Sequence, residues 1–381
     1  MKITDVKLRF AKHYLFVQVY TDAGIVGLGE AGNWGYLQAT AAAIEKFADY
    51  LIGKDPFRIE DFNQNFLRSV YFRGSVIMSA ISAIDIALWD IKGKALGVPC
   101  YQLLGGKCRD ELRTYASQLQ FGWGNAEKKD ILVTPAQYAA AAEKALEQGY
   151  DCIKVDVNEI DLEGYAKRRN LYGCFAGRDL RVGYDRLKAI REGVGDQIDI
   201  IVEAHALTDT TSAIEFGRMI EEFRISAYEE PVMSLNPMQL KEVHDNVNIP
   251  IAAGERVFTR WGFRPFFENH IIDLIQPDLG TCGGFTEGKK ICDMGHIYDT
   301  TAQIHVCGGP IMTAASLQLE AAIPNFAIHE LHRYALLEGN RRTCKYDYMP
   351  VNGKYQIPDL PGIGQELTDE CIAESPKVTV K

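Results

Sequence analysis

Short apolar runs that end in an acidic residue recur along the middle of the chain. The run IDIIVE ends at Glu203, ISAYE ends at Glu229, and IPIAAGE ends at Glu255. Such runs are typical of buried strands. The three acids follow one another at intervals of 26 residues, which is enough for one strand, one helix and two short loops. This period predicts a (β/α)₈-type barrel, in which the C-terminal ends of the strands converge on one mouth.

The same rhythm extends to both sides of these acids. CIK ends at Lys154, IIDLIQPD at Asp278, TTAQIH at His305 and NFAIHE at Glu330. Because the ends of all these strands meet at the barrel mouth, the pattern predicts an active site there. The alternation of strands and helices assigns residues 111–335 to the barrel.

The first 110 residues show a different order of elements. Strand-like runs in LRFAKHYLFVQVYTDAGIVGLGEA are followed by two helical patterns, LQATAAAIEKFADYLIG and VIMSAISAIDIALWDIKGKALG. The second pattern stops at Gly97, with Pro99 shortly after it. Strands followed by helices, without alternation, predict a separate α+β unit over residues 1–110. The turn-rich tail, about residues 336–381, is expected to pack back on this unit.

Composition narrows the partners of the chain. Its formal charge of −10 argues against nucleic acid as a partner. Because the whole chain repels anions, an anionic substrate would have to be attracted locally, by a metal ion and by Lys or Arg side chains. No run of about 18 apolar residues is present, so no membrane partner is expected. The nine cysteines lack zinc-type pairing and are expected to be reduced thiols in the cytoplasm.

Three carboxylates on adjacent strand ends form a set of hard oxygen ligands. Such oxygens suit Mg²⁺, and a cation would neutralise acids that otherwise repel one another. The sequence therefore predicts a magnesium site at Glu203, Glu229 and Glu255.

Together these residues resemble the mandelate racemase-like branch of the enolase superfamily, and within it the acid-sugar dehydratases. The matching strings span the chain: DYLIGKDPFRIED, YFRGSVIMSAISAIDIALWDIKGK, LLGGK, IPIAAGERVFTR and IQPDLGTCGG. The resemblance implies an α+β capping domain over a modified TIM barrel, (β/α)₇β, with one catalytic Mg²⁺. It also implies assembly as a homo-oligomer.

The resemblance assigns roles to the residues at the strand ends. Glu203, Glu229 and Glu255 would bind the metal. His305 and Asp278 resemble the family's histidine–aspartate dyad, with His305 as the base that removes the proton next to the substrate carboxylate.

Four further residues complete the expected site. His205 lies two residues after Glu203, so on a strand both would face the mouth, and His205 would protonate the departing 3-hydroxyl. Glu330 matches a residue that hydrogen-bonds the substrate carboxylate. Lys154 would neutralise that carboxylate or pair with Asp156. Arg73, in YFRG of a capping loop, would bind sugar hydroxyls.

The expected reaction is dehydration of a sugar acid to a 2-keto-3-deoxy acid, with a D-galactonate-like aldonate as the first expected substrate. Two alternatives stay open. One is an epimerase or cycloisomerase that works through the same enediolate. The other is a non-catalytic protein that binds a sugar acid.

Overall fold

The computed structural model describes residues 1–32, 35–69, 74–124, 130–166, 177–196, 198–375 and 377–379. All structural statements below concern these residues. None of the helices among them is long and apolar enough to cross a membrane. The cysteines among them are all free thiols.

The N-terminal unit consists of an antiparallel sheet with helices packed on it. Its elements are β1 (Ile3–Ala11), β2 (Tyr14–Thr21), β3 (Val26–Ala31), α1 (Leu37–Leu51), α2 (Ile59–Ser69), α3 (Ser75–Leu96) and α4 (Cys100–Leu103). The strands pair in chain order, and α3 packs closely on β3. This α+β arrangement confirms the prediction from the order of strand and helix patterns.

The barrel unit alternates strands and helices. Its elements are β4 (Glu111–Ser117), α5 (Pro135–Glu147), β5 (Cys152–Val155), α6 (Gly177–Val194), β6 (Asp199–Glu203), α7 (Thr210–Ile220), β7 (Ala227–Glu229), α8 (Pro237–His244), β8 (Ile251–Ala253), α9 (Thr259–Glu268), β9 (Leu274–Ile275), α10 (Gly284–Ile297), β10 (Thr301–Ala302), α11 (Pro310–Ala322) and β11 (His329–His332). Short 3₁₀ helices lie at Leu119–Phe121, Glu221–Phe223 and Arg333–Leu336.

The strands of this unit form one curled parallel sheet. Their order is β10-β9-β8-β7-β6-β5-β4-β11, so the last strand pairs with the first. A parallel bridge between Ala302 and Phe326 joins β10 to the segment that leads into β11. Within the described residues, eight strands therefore alternate with seven helices, α5 to α11. The expected modified TIM barrel with a capping domain is confirmed.

The C-terminal segment contacts both units. It contains α12 (Glu338–Arg341), β12 (Lys354–Gln356), α13 (Asp369–Glu374) and β13 (Lys377–Thr379). β12 pairs antiparallel with β4 of the barrel, and β13 pairs antiparallel with β1 of the N-terminal unit. The segment thus ties the first strand of the barrel to the capping sheet.

Two contacts position the capping unit over the carboxyl ends of the barrel strands. The Glu30 carboxylate, at the end of β3, accepts hydrogen bonds from the backbone N–H groups of Gly309 (2.6 Å) and Met312 (2.9 Å), at the start of α11. The backbones of Gly32 and Gly280 meet so closely that a Cβ on Gly280 would lie 2.7 Å from the Gly32 Cα. Glycine is required at this approach.

Candidate active site

The Lys154 ammonium group lies among carboxylates at the barrel mouth. Its Nζ atom is 2.6 Å from Oε1 of Glu229, 2.8 Å from Oε1 of Glu330 and 3.2 Å from Oε2 of Glu203. All four side chains are buried, and Lys154 is 2% exposed. Buried charges are tolerated when they are paired, so Lys154 partly neutralises the three acids. The sequence left open a pairing of Lys154 with Asp156, and the structure places Lys154 with these acids instead.

Glu203 and Glu229 are neighbours in register at the ends of β6 and β7. Burial raises the pKa of Glu203, but His205 and Lys154 outweigh burial and lower it to about 2. Burial and then the adjacent Glu203 charge hold the pKa of Glu229 well above its usual range. The Oε2 atom of Glu229 is buried and has no hydrogen-bond partner among the described residues. The single ammonium group of Lys154 therefore leaves one buried carboxylate oxygen of this pair without a partner among the described residues.

Glu255 lies just beyond β8 and bridges the two sides of the mouth. Its Oε2 atom is 3.1 Å from Nε2 of His305, and its Oε1 atom is 3.0 Å from Nη2 of Arg256. Arg256 also donates from Nε to Oε2 of Glu230, at 2.9 Å. The structure thus separates the two adjacent acids at the end of β7: Glu230, just after the strand, pairs with Arg256, whereas Glu229 faces Lys154.

His305 and Asp278 form the expected dyad. Nδ1 of His305 lies 2.7 Å from Oδ2 of Asp278, and a parallel bridge joins the backbones of the two residues. Burial opposes the imidazolium form, but Glu255, Asp278 and Glu330 outweigh it and raise the pKa of His305 to about 10. A carboxylate at Nδ1 fixes the ring and leaves Nε2 to face the pocket.

His205 reaches the mouth by a different backbone route from the expected one. The strand argument placed Glu203 and His205 on one face, but β6 ends at Glu203 and His205 has a φ of 48°, in the left-handed region. The reasoning from strand alternation was therefore wrong for His205. The side chain nevertheless lies beside Glu203, with Nε2 3.8 Å from Oε2, and the backbone N–H donates to Oε1 at 3.3 Å.

A second histidine–carboxylate pair was missed by the sequence reasoning. Nδ1 of His205 lies 2.7 Å from Oδ2 of Asp156, which is buried directly after β5. Burial lowers the pKa of His205, but Glu203 and Asp156 outweigh it and raise that pKa to about 10. The sequence did contain a signal for this pair: Asp156 and His205 each follow one of two neighbouring strands, and the ends of neighbouring parallel strands lie side by side.

Asp156, Glu159 and His205 also form a cluster whose ligand atoms all lie within 4.8 Å of one another. Such a cluster can hold a metal ion, but the contacts inside it are hydrogen bonds. Oδ1 of Asp156 accepts from the backbone N–H of Glu159 at 2.8 Å, and Oε2 of Glu159 accepts from Nε2 of Gln120 at 2.7 Å. The cluster is a buried polar network that holds Asp156 in place.

Glu330 is surrounded by groups of the protein. It accepts from Oγ of Ser117 at 2.7 Å and from the backbone N–H of Val306 at 3.0 Å, besides its contact with Lys154. Burial raises its pKa, but Lys154 and His305 outweigh burial and lower it below the usual range. These bonds place Glu330 as a brace between β4, Lys154 and the segment after His305. Its contact with a substrate stays a prediction.

Two further residues bear on the expected site. Arg73, the expected ligand of sugar hydroxyls, lies outside the described residues, as do residues 167–176 of the long segment after Lys154. Gln118, which the sequence reasoning did not single out, follows the end of β4. Its Nε2 atom lies 3.5 Å from Nε2 of His205. The sequence signal that could have identified Gln118 is its position directly after a barrel strand.

Comparison with known proteins places this geometry in a family. The mandelate racemase / muconate lactonizing enzyme N-terminal domain matches residues 4–105, and the enolase C-terminal domain-like family matches residues 137–371. A D-galactonate dehydratase of Pectobacterium atrosepticum is 33% identical over 99% of this chain and 95% of its own length. A D-xylonate dehydratase of Haloferax volcanii is 35% identical over 97% of this chain and 88% of its own length.

A solved structure agrees with these sequence matches. A member of the enolase superfamily from Salmonella Typhimurium is 55% identical, covers 100% of both chains and superposes with a TM-score of 0.97. The resemblance to the mandelate racemase-like branch and its acid-sugar dehydratases is thereby confirmed. The chain belongs to the mandelate racemase / muconate lactonizing enzyme family of the enolase superfamily.

Proposed function

We propose that this protein is a Mg²⁺-dependent dehydratase of a sugar acid. The observation that carries the proposal is the presence of two imidazoles, each 2.7 Å from its own carboxylate: His305 with Asp278 and His205 with Asp156. In the sheet, β7, β8 and β9 lie between β6, which precedes His205, and β10, which precedes His305. Dehydration needs two such groups, one to take the C2 proton and one to protonate the 3-hydroxyl. The relatives named D-galactonate and D-xylonate dehydratase support this reaction class.

The donor set between the two histidines fits a hard divalent cation. Glu203, Glu229 and Glu255 would hold Mg²⁺, because carboxylate oxygens are its preferred protein ligands. The unpartnered buried Oε2 of Glu229 supports this fit. When bound, the ion would stabilise the negative charge that develops on the substrate carboxylate.

His305 would begin the reaction by accepting the C2 proton on Nε2. The electron pair of the broken C–H bond moves toward the substrate carboxylate and gives the enediolate. An imidazole accepts a proton in its neutral form, so the charge of Glu255 beside Nε2 must be compensated for this step. Asp278 keeps the other ring proton on Nδ1 and fixes the direction of Nε2.

His205 would complete the loss of water. Its Nε2 proton passes to the oxygen at C3, the C3–O bond breaks, and the enediolate electrons form the C2–C3 double bond. Water leaves, and the enol takes a proton at C3 to give the 2-keto-3-deoxy acid. Lys154 contacts Glu203, Glu229 and Glu330 and would offset part of their negative charge, which would otherwise repel a substrate carboxylate.

A product assay across a panel of aldonates and aldarates tests the proposal. Each sugar acid is incubated with the protein in Mg²⁺ or in EDTA, and the 2-keto product is detected as its semicarbazone. We expect product from at least one acid in Mg²⁺ and none in EDTA. His305→Asn is the matched control and should form no product. Product formation that is equal in EDTA would contradict the metal-dependent mechanism.

An epimerase or cycloisomerase is the second candidate, and the Asp156–His205 pair favours it. A second oriented imidazole can return a proton to C2 from the opposite face, with no loss of water. Such an enzyme would form an isomer of the substrate mass and no 2-keto-3-deoxy acid. A non-catalytic binding protein would bind a sugar acid and exchange none of its protons.

The finer expectations about substrate and setting belong to the same proposal. A D-galactonate-like aldonate is the first substrate to test, because of the relatives' activity. A cytoplasmic location and assembly as a homo-oligomer stay predictions from the sequence.

A further inference from the structure

We infer that Asp156 is a positioning residue for His205: its carboxylate holds the ring proton on Nδ1 and directs Nε2 into the pocket. The inference rests on the proposed dehydration, in which Nε2 delivers a proton to the leaving hydroxyl. It goes further by giving a role to a residue that the sequence considered only as a partner of Lys154.

The Asp278–His305 dyad and the Asp156–His205 pair are built in the same way. In the first, Oδ1 of Asp278 accepts the backbone N–H of Gly280 at 2.6 Å, and Oδ2 faces Nδ1 of His305 at 2.7 Å. In the second, Oδ1 of Asp156 accepts the backbone N–H of Asn158 at 2.9 Å, and Oδ2 faces its histidine at 2.7 Å. In both pairs the backbone donor lies two residues after the aspartate. One oxygen thus anchors each carboxylate, and the other orients an imidazole.

Asp156 is held rigidly enough to act in this way. It is 2% exposed, and Oδ1 accepts a second backbone N–H, from Glu159, at 2.8 Å. Its own backbone N–H points to Oε1 of Gln120, at 3.4 Å. A buried carboxylate whose one oxygen is fixed by two backbone donors has a single direction left for the other oxygen, and that direction is His205.

His205 itself is held in a conformation that needs support. A φ of 48° is rarely adopted by a residue other than glycine and persists where the surroundings enforce it. The next residue, Ala206, donates its N–H to the Glu230 carbonyl at 2.9 Å, which ties this turn to β7. The Gln118 amide nitrogen lies 3.5 Å from Nε2. The carboxylate at Nδ1 keeps a ring proton on that nitrogen, so Nε2 is the ring nitrogen that is free to carry the proton for the leaving hydroxyl.

The test compares the same substitution at the two ends of one strand. Asp156→Asn replaces the carboxylate after β5 with an amide that can donate to Nδ1. Asp151→Asn, directly before β5, changes a carboxylate that contacts Arg113 at 2.8 Å, outside the site. We expect Asp156→Asn to lower kcat for dehydration on the order of 10²- to 10⁴-fold, with KM changed less than about threefold. Asp151→Asn should keep the wild-type rate.

Exchange of the C2 proton separates positioning from structural damage. In D₂O, Asp156→Asn should still exchange that proton, because His305 and Asp278 are untouched. Loss of exchange and dehydration in equal measure would overturn the inference, since it would indicate general damage to the site.

Imidazole NMR gives a readout that does not depend on turnover. Long-range ¹H–¹⁵N spectra of ¹⁵N-histidine protein, with His205 assigned from a His205→Asn variant, report which ring nitrogen carries the proton. We expect Nδ1 to carry a proton in the wild type, whether or not Nε2 is also protonated, and we expect Nδ1 to carry none in Asp156→Asn. An Nε2 tautomer in the wild type would overturn the inference even if Asp156→Asn did not fold. If the wild type dehydrated no sugar acid, the proposed function would fail while this spectrum still tested Asp156.

Discussion

Nζ of Lys154 lies 2.6 Å from Oε1 of Glu229, and the same ammonium group also faces the carboxylates of Glu330 and Glu203. We predict that Lys154→Met lowers the free energy of unfolding in EDTA by about 3–5 kcal/mol, because it leaves buried carboxylates without their partner. Mg²⁺ should restore part of this loss by supplying positive charge. Urea denaturation with EDTA and with Mg²⁺ measures both effects.

The control for this prediction is a partly exposed lysine in an ordinary ion pair at the surface. Lys289→Met removes a contact with Asp293 on the surface of α10, which should cost less than about 1 kcal/mol and show no response to Mg²⁺. Equal losses for Lys289→Met and Lys154→Met would contradict the pairing described here.

Removal of one carboxylate from the expected metal site should weaken cation binding. We predict that Glu229→Gln lowers the affinity for Mg²⁺ by at least about tenfold, because a neutral amide replaces a charged ligand. Isothermal titration calorimetry measures the change. Glu268→Gln, which alters a surface pair with Arg264, should bind Mg²⁺ as the wild type does. An unchanged affinity in Glu229→Gln would place the ion elsewhere.

The first dyad should control proton abstraction. We predict that Asp278→Asn slows exchange of the substrate C2 proton on the order of 10³- to 10⁴-fold, since an amide no longer holds the His305 proton on Nδ1. Deuterium incorporation at C2, followed by NMR, measures this rate. Binding of Mg²⁺ should persist, and an exchange rate within a few-fold of the wild type would show that another group is the base.

Glu30 should make stability depend on pH. Burial raises its pKa from 4.5 to about 8, although the N–H groups of Gly309 and Met312 oppose the shift. The folded protein therefore binds this proton more tightly than the unfolded chain does. Between about pH 4.5 and about pH 8 the free energy of unfolding should fall as the pH rises.

We predict that Glu30→Gln flattens this dependence on pH, because glutamine has no proton to release. Urea midpoints measured across that range give the slope for each protein. Glu192→Gln, on the exposed face of α6, should keep the wild-type slope. A slope in Glu30→Gln as steep as in the wild type would show that other groups cause the dependence.

The residues at the barrel mouth could be predicted from the sequence because they recur at the regular interval of one strand and one helix. Apolar runs locate the strands, and parallel strands bring their carboxyl ends together, so Glu203 and Glu229 had to be neighbours. The dyad of His305 and Asp278 followed from the same logic together with the resemblance.

What could not be predicted depends on backbone detail and on contacts between distant segments. The left-handed φ of His205 breaks the strand alternation from which its direction was argued. The partner of Asp156 was missed because its position, two residues after Lys154, suggested a local pair with that lysine. The fold instead brings His205, which follows the next strand, to the Asp156 carboxylate. The contact of Glu30 with α11 joins residues 279 positions apart, beyond the reach of any local pattern.

The central claim is that the site removes water from a sugar acid by two separate proton transfers. Proton NMR of the active sugar acid, incubated with protein and Mg²⁺ in D₂O, tests it most directly. The account predicts a 2-keto-3-deoxy product with one deuterium at C3 for the wild type, C2 exchange without product for His205→Asn, and neither for His305→Asn. Exchange at C2 in the wild type with no 3-deoxy signal from any acid of the panel would contradict dehydration and favour an epimerase.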